Sequence, residues 1–196
     1  MAKNNSDSNK AMRFDNEDRI KELKPEYLLK NVIGVKPGMI CIDMGSGTGV
    51  FSLPMARLVG DRGRILAVDN NLSMIDHLKN KNPPPNLRII HANVFDTGLS
   101  DSMADFCLLS FILHEVKEPG KLLEETYRLL KDNGRVCVIE WKTGVTPHGP
   151  PERIRISEES LKGLFSQAGF SDFKYTDWSV NHYVATGNKY KGGFVL

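Results

Sequence analysis

The sequence is poor in cysteine, in long apolar runs and in net charge, and each shortage excludes something. Three cysteines in 196 residues, Cys41, Cys107 and Cys137, are too few and too scattered for a disulfide framework. Each sits inside an apolar run, where a free cysteine behaves as a small hydrophobe. The longest apolar stretches, such as the one ending at Val138-Ile139, fall far short of a membrane span. The opening MAKNNSDSNK lacks the apolar core of a signal peptide, so the chain reads as cytoplasmic, with no membrane insertion. A net charge of +2 provides no global basic field, and no nucleic-acid partner is expected. No His/Cys/Asp cluster has metal-ligand spacing, so no metal site is predicted. No internal repeat is present, and Pro83-Pro84-Pro85 is too short for a domain linker.

What is present is alternation. After a polar tail of residues 1–12, read as disordered, a helical extension spans 13–35, with Pro25 opening a helix to about Ile33. From residue 36 onward, short β-branched runs alternate with amphipathic stretches. Strands are predicted at 39–42, 65–68, 87–90, 105–110 and 135–141. Helices are predicted to Val59, over 72–80, over 119–130 with an end at Asn133-Gly134, and from the N-cap Ser157. Only Asp177-Trp178-Ser179 separates the last two strands, 170–176 and 180–186, which predicts an antiparallel hairpin. The pattern predicts one α/β domain over 36–196: a three-layer sandwich around a seven-stranded, mainly parallel sheet.

The informative segment is Asp43-Met44-Gly45-Ser46-Gly47-Thr48-Gly49, between a strand and a helix. Alternate glycines let a ligand approach the backbone closely, and the helix that follows begins with free N–H groups. The spacing is G-x-G-x-G, not the G-x-G-x-x-G of dinucleotide folds. Asp43 ends the strand before the loop, where it would repel a pyrophosphate and attract an ammonium. Asp69 ends the next strand, 20 residues after Gly49, at the position where an acid can accept both ribose hydroxyls. Together they describe a nucleoside that carries positive charge in place of phosphates. S-adenosylmethionine fits that description.

The region from about Lys36 to Glu140 resembles class I S-adenosylmethionine-dependent methyltransferases, and most closely the ubiquinone/menaquinone-biosynthesis C-methyltransferase type. The resemblance rests on Asp43–Gly49, Asp69, Ala92-Asn93-Val94, Leu109-Ser110-Phe111 and the turn Leu129–Gly134. It departs at that turn, where relatives often carry Pro-Gly-Gly and this chain has Asp132-Asn133-Gly134. The resemblance implies a Rossmann-like fold and S-adenosylmethionine as cofactor. By it, Asp43 and the backbone of Gly45, Ser46, Gly47 and Gly49 hold the methionine part. Asp69 holds the ribose with Asn70 or Asn71 beside it, Asn93 faces the adenine amino group with Val94 at the ring, and Ser110 lies next to the sulfonium.

Methyl transfer from a sulfonium is an in-line displacement in which the protein mainly contributes proximity and orientation. The acceptor is therefore less legible than the cofactor. Open α/β sheets bind ligands at the carboxyl ends of their strands. His114, after the fourth strand, and Glu140, at the end of the fifth, are the candidate catalytic residues, and the loop Thr143–Arg155 is a candidate cover. No Asn/Asp-Pro-Pro-aromatic signature of amino-methylating DNA enzymes follows the fourth strand. A small-molecule methyl acceptor is expected, for a monomer or a homodimer. Two alternatives stay open at this point: a nicotinamide oxidoreductase, and a non-catalytic protein that only binds S-adenosylmethionine.

Overall fold

The computed structural model describes residues 14–144 and 148–190. The predicted tail, 1–12, and three residues of the candidate covering loop lie outside the described residues. Seven strands, β1 (Ile40–Met44), β2 (Arg64–Asp69), β3 (Leu87–His91), β4 (Ala104–Ser110), β5 (Leu130–Trp141), β6 (Ser171–Asp177) and β7 (His182–Asn188), form one mixed sheet in the order β3-β2-β1-β4-β5-β7-β6. The chain divides into two compact units, Met1–Thr97 and Gly98–Leu196.

In the first unit, β1 (Ile40–Met44), β2 (Arg64–Asp69) and β3 (Leu87–His91) are parallel. Parallel neighbours need a crossover. Helix α3 (Ser52–Val59) provides it between β1 and β2, and α4 (Leu72–Asn80) between β2 and β3. Strand β2 is buried from Ile65 to Asp69, as a strand covered on both faces must be, so it reads as a continuous apolar run. Helix α4 starts where predicted because the Asn71 side chain accepts from the Ser73 and Met74 N–H groups, which have no partner within the helix. The helical extension is built from α1 (Glu17–Leu23), capped by Asn16, and α2 (Pro25–Tyr27). The latter runs into a π-helical turn over Leu28–Ile33 that ends at left-handed Gly34.

In the second unit, β4 (Ala104–Ser110) and β5 (Leu130–Trp141) are parallel, joined through α5 (Pro119–Leu129). Helix α6 (Glu158–Gln167) follows its Ser157 cap, and β6 (Ser171–Asp177) and β7 (His182–Asn188) form the predicted antiparallel hairpin. Strand β7 lies between β5 and β6, antiparallel to both. Edge strand β6 is largely exposed and carries Asp172, Lys174 and Asp177, charges that discourage pairing with another chain.

One boundary differs from expectation. The helix before β5 ends at Leu129, within a residue of the expected 130, but the strand begins at once with Leu130 and not after Asn133-Gly134 at Arg135. Leu130 is fully buried and pairs with Ala104, which draws the chain into extended form a turn early. Asn133 then takes φ +64 inside the strand, and its N–H donates to the Lys189 carbonyl at 2.7 Å. The turn signal was real, but it marks an irregularity within a strand.

The glycine loop follows β1, with Gly45, Gly47 and Gly49 all at positive φ. A Cβ on Gly49 would lie 2.4 Å from Leu78 Cδ1 at φ +82. Gly49→Ala is therefore expected to cost about 1–3 kcal/mol of stability, read as a lower urea midpoint, because crowding and backbone strain add.

Candidate functional site

The end of β1, the glycine loop and the end of β2 are joined by a short set of bonds. The Gly45 and Ser46 N–H groups donate to the Val68 carbonyl at 2.8 and 2.9 Å. The Gly47 N–H donates to Asp69 Oδ2 at 2.7 Å, and the Asn71 N–H donates to Asp69 Oδ1 at 2.8 Å. Asp69 thus stands at the tip of β2 with both oxygens anchored by backbone, 8% exposed and with lone pairs to spare.

Asp43 is 1% exposed. Its Oδ2 accepts from Ser52 Oγ at 2.5 Å, while Oδ1 has no hydrogen-bond partner among the described residues. The buried hydroxyl of Ser46 is likewise without a partner there. Buried polar groups are normally bonded, so two orphans at one glycine loop fit a polar ligand. Burial is the main reason the Asp43 carboxyl is pushed up to about 7; the Ser52 bond opposes that rise and nearby Asp69 adds to it. A carboxyl raised in the folded state keeps a proton that the unfolded chain, at 3.8, has released. Between those two values its contribution to stability therefore falls as pH rises. Urea midpoints measured across this window should decline more for the wild type than for Asp43→Asn.

The remaining predicted cofactor residues have other duties as well. Asn71 is the cap of α4, and exposed Asn70 offers its carbonyl to His91 Nε2 at 3.3 Å. Asn93 is exposed, and its Oδ1 accepts from the Phe95 N–H at 3.0 Å, which closes a turn. That turn starts beside Asp69, since the Ala92 N–H donates to the Asp69 carbonyl at 3.1 Å. Val94 is buried next to it.

In the second unit, Ser110 ends β4 in register with Ile139, and Phe111 follows at φ +56. A bulky side chain rarely takes that conformation, at a cost of about 1–3 kcal/mol, and such strain clusters at functional positions. The turn brings Phe111 against Trp141 and His182, with ring centroids 5.8 and 5.1 Å away. His114 and Glu140, which are 26 residues apart, meet: His114 Nδ1 lies 2.7 Å from Glu140 Oε2. Glu140 also accepts from the backbone N–H groups of His114 and Trp141, both at 3.2 Å. The side chains are 8% and 1% exposed. Arg155 ties the loop after β5 together, donating to the carbonyls of Lys142, Gly144, His148 and Pro150. Gly149 rests on the Trp141 indole, where a Cβ would come within 2.6 Å of Cε3.

Sequence reasoning missed Ser52 and Phe111 as neighbours of these groups. Nothing in the sequence marks a phenylalanine for positive φ. Ser52 carried a weak signal, a hydroxyl at the first residue of the helix after the glycine loop.

The geometry agrees with comparison to known proteins. The methyltransferase domain family matches residues 42–138, a span that crosses both units. The ubiquinone/menaquinone biosynthesis C-methyltransferase UbiE of Vibrio parahaemolyticus is 28% identical over 176 residues, covering 72% of this chain and 68% of the relative. The protein of the same name from Haemophilus ducreyi is 35% identical over 112 residues, covering 55% and 43%. Among solved structures, an S-adenosylmethionine-dependent methyltransferase from Aquifex aeolicus superposes with a TM-score of 0.86 at 27% identity, covering 92% of this chain and 97% of that one.

The chain belongs to the class I S-adenosylmethionine-dependent methyltransferases, enzymes that move a methyl group from that cofactor to a small-molecule acceptor. Within the class it is similar to enzymes named ubiquinone/menaquinone biosynthesis C-methyltransferase UbiE. Neither the nicotinamide oxidoreductase nor the non-catalytic alternative finds support among these relatives.

Proposed function

We propose that Asp43, Gly45, Ser46, Gly47, Gly49, Asp69, Asn70, Asn93 and Val94 bind S-adenosylmethionine, that Ser110 adjoins the sulfonium, and that His114 takes a proton from the acceptor. When bound, the cofactor supplies a methyl group already activated by the positive sulfur. The observation that carries the assignment of His114 is its 2.7 Å bond to Glu140. With Nδ1–H donated to the carboxylate, Nε2 keeps its lone pair and faces away from Glu140 as a proton acceptor. With the cofactor held by the glycine loop and Asp69, His114 Nε2 would take the proton that the acceptor gives up on methylation.

The relatives' names support a quinol or a related phenolic ring as acceptor, with carbon as the atom methylated. The adjoining rings of Phe111 and Trp141 are only half-buried and suit a flat, apolar molecule. Activity against a panel of quinols, phenols and amines tests this, and methylated amines alone would overturn it. The same proposal has residues 36–196 acting as the catalytic domain, 13–35 as its helical extension, and the chain as a cytoplasmic monomer or homodimer. Among the described residues no helix is long and apolar enough to cross a membrane.

Asp43 gives this reading a pH signature. A cation bound beside the acid favours its ionised form, so binding displaces the proton that burial retains. Affinity for S-adenosylmethionine is expected to rise as pH passes through about 7. Calorimetry in buffers of different ionisation enthalpy should show proton release in the wild type and none from this site in Asp43→Asn.

A further inference from the structure

The first half of the glycine loop is fixed by strand β2 and by the loop itself. Val68 holds Gly45 and Ser46, Asp69 holds Gly47, and Ser46 holds Gly49. The peptide of Thr48 is fixed from elsewhere. Lys81 Nζ donates to the Thr48 carbonyl at 2.8 Å and pairs with Asp15 Oδ2 at 2.7 Å. The Thr48 hydroxyl donates to Asp15 Oδ1, also at 2.7 Å. These contacts close a triangle of lysine, aspartate and threonine. Lys81 is the residue that caps the C-terminus of α4, and Asp15 directly precedes the N-cap of α1. Beside the triangle the Phe14 ring rests on Gly47, 3.6 Å from where a Cβ would stand. The Phe14 carbonyl in turn accepts from Arg19 Nη1 at 3.0 Å.

We infer that Lys81 is a positioning residue for methyl transfer, one that holds the Thr48 peptide, and so the glycine loop, in its cofactor-binding form. The inference rests on the reading that this loop binds S-adenosylmethionine. Glycines at positions 45, 47 and 49 leave the loop little conformational preference of its own, so its shape must be imposed. Thr48 itself is 1% exposed, but the side chains of Lys81 and Asp15 are 31% and 32% exposed. They also line an open cleft of about 500 Å³ with Ile20, Tyr27, Leu53 and Arg57. Water can replace the lysine ammonium at such a site, so losing it barely affects global stability. Water does not hold one loop conformation. The loop then samples more states, and affinity falls by the fraction that remains competent.

Lys81→Met, measured by calorimetry, is expected to bind S-adenosylmethionine about tenfold more weakly. S-adenosylhomocysteine should weaken equally, because the effect acts through the loop and not on the sulfonium. Lys81→Arg, which keeps the charge and the donors, should restore binding to within about threefold. The thermal midpoint of the unliganded Lys81→Met protein should stay within a few degrees of the wild type. If Lys81→Met unfolds, Asp15→Asn carries the same test, since it breaks the ion pair and keeps an acceptor for Thr48. Unchanged affinity in a folded variant overturns the inference, and so does a loss confined to one of the two ligands or a loss that arginine does not repair. A wild type that binds neither ligand would instead overturn the cofactor reading itself.

Discussion

Asp69→Ala is expected to weaken S-adenosylmethionine binding by a hundredfold or more, the largest loss from any single cofactor-side substitution. Two contributions combine. A carboxylate that accepts both ribose hydroxyls makes two charge-assisted bonds, each worth about 1.5–3 kcal/mol. The same carboxylate organises the loop, since its oxygens receive the Gly47 and Asn71 N–H groups. Alanine removes both at once. Asp69→Asn should fall between wild type and alanine, because one amide oxygen can still accept while the NH₂ group confronts a backbone donor. Calorimetric titration reads the affinity, and a melting curve of the unliganded protein separates lost binding from lost folding. Affinity within about threefold of wild type in a folded Asp69→Ala protein would remove the ribose assignment.

His114→Ala carries the second large effect, on turnover and not on cofactor affinity. General-base catalysis contributes about 100–10,000-fold, so kcat with a quinol or phenol acceptor should fall within that range. S-adenosylmethionine affinity should stay within about twofold. Added imidazole should recover part of the rate, because the cavity left by alanine adjoins Glu140, whose Oε2 then lacks its 2.7 Å partner. Glu140→Gln should cost less. The glutamine carbonyl can still accept Nδ1–H and keep the tautomer, but it loses the charge that stabilises the imidazolium formed in the step. Full turnover in His114→Ala would mean that the acceptor arrives already deprotonated or needs no base.

These two residues also mark how far the sequence could be read. Asp69 was legible because two local signals coincide: the polar end of an apolar run and a fixed distance from the glycines. Strand β2 agrees with the first, being buried from Ile65 onward and ending at that acid. The nine residues of α4 were legible because Asn71 caps it and the apolar positions recur at helical spacing. His114 was less legible, since a histidine near a helix start has many structural uses. Its pairing with Glu140 depends on the register of β4 with β5, in which Ser110 stands opposite Ile139. Sequence separation carries no trace of that register.

The start of β5 shows the opposite failure. Asn133-Gly134 is a sound turn signal, yet the burial of Leu130 and its pairing with Ala104 override it. Asn93 was assigned to the adenine, and the structure gives its carbonyl oxygen a second task at Phe95.

By itself the sequence determined what local physics can encode: the alternation of strand and helix, the glycine loop, and the two acids whose negative charge suits a cationic nucleoside. The overall charge of +2 indicated none of this, because the charge that matters is confined to strand ends. Only the tertiary structure decided which side chains face one another across long separations. It brought His114 to Glu140, Phe111 to His182, and Lys81 with Asp15 to Thr48. Those meetings arise from strand register, helix ends and a strained backbone turn, and each depends on packing that no window of neighbouring residues contains.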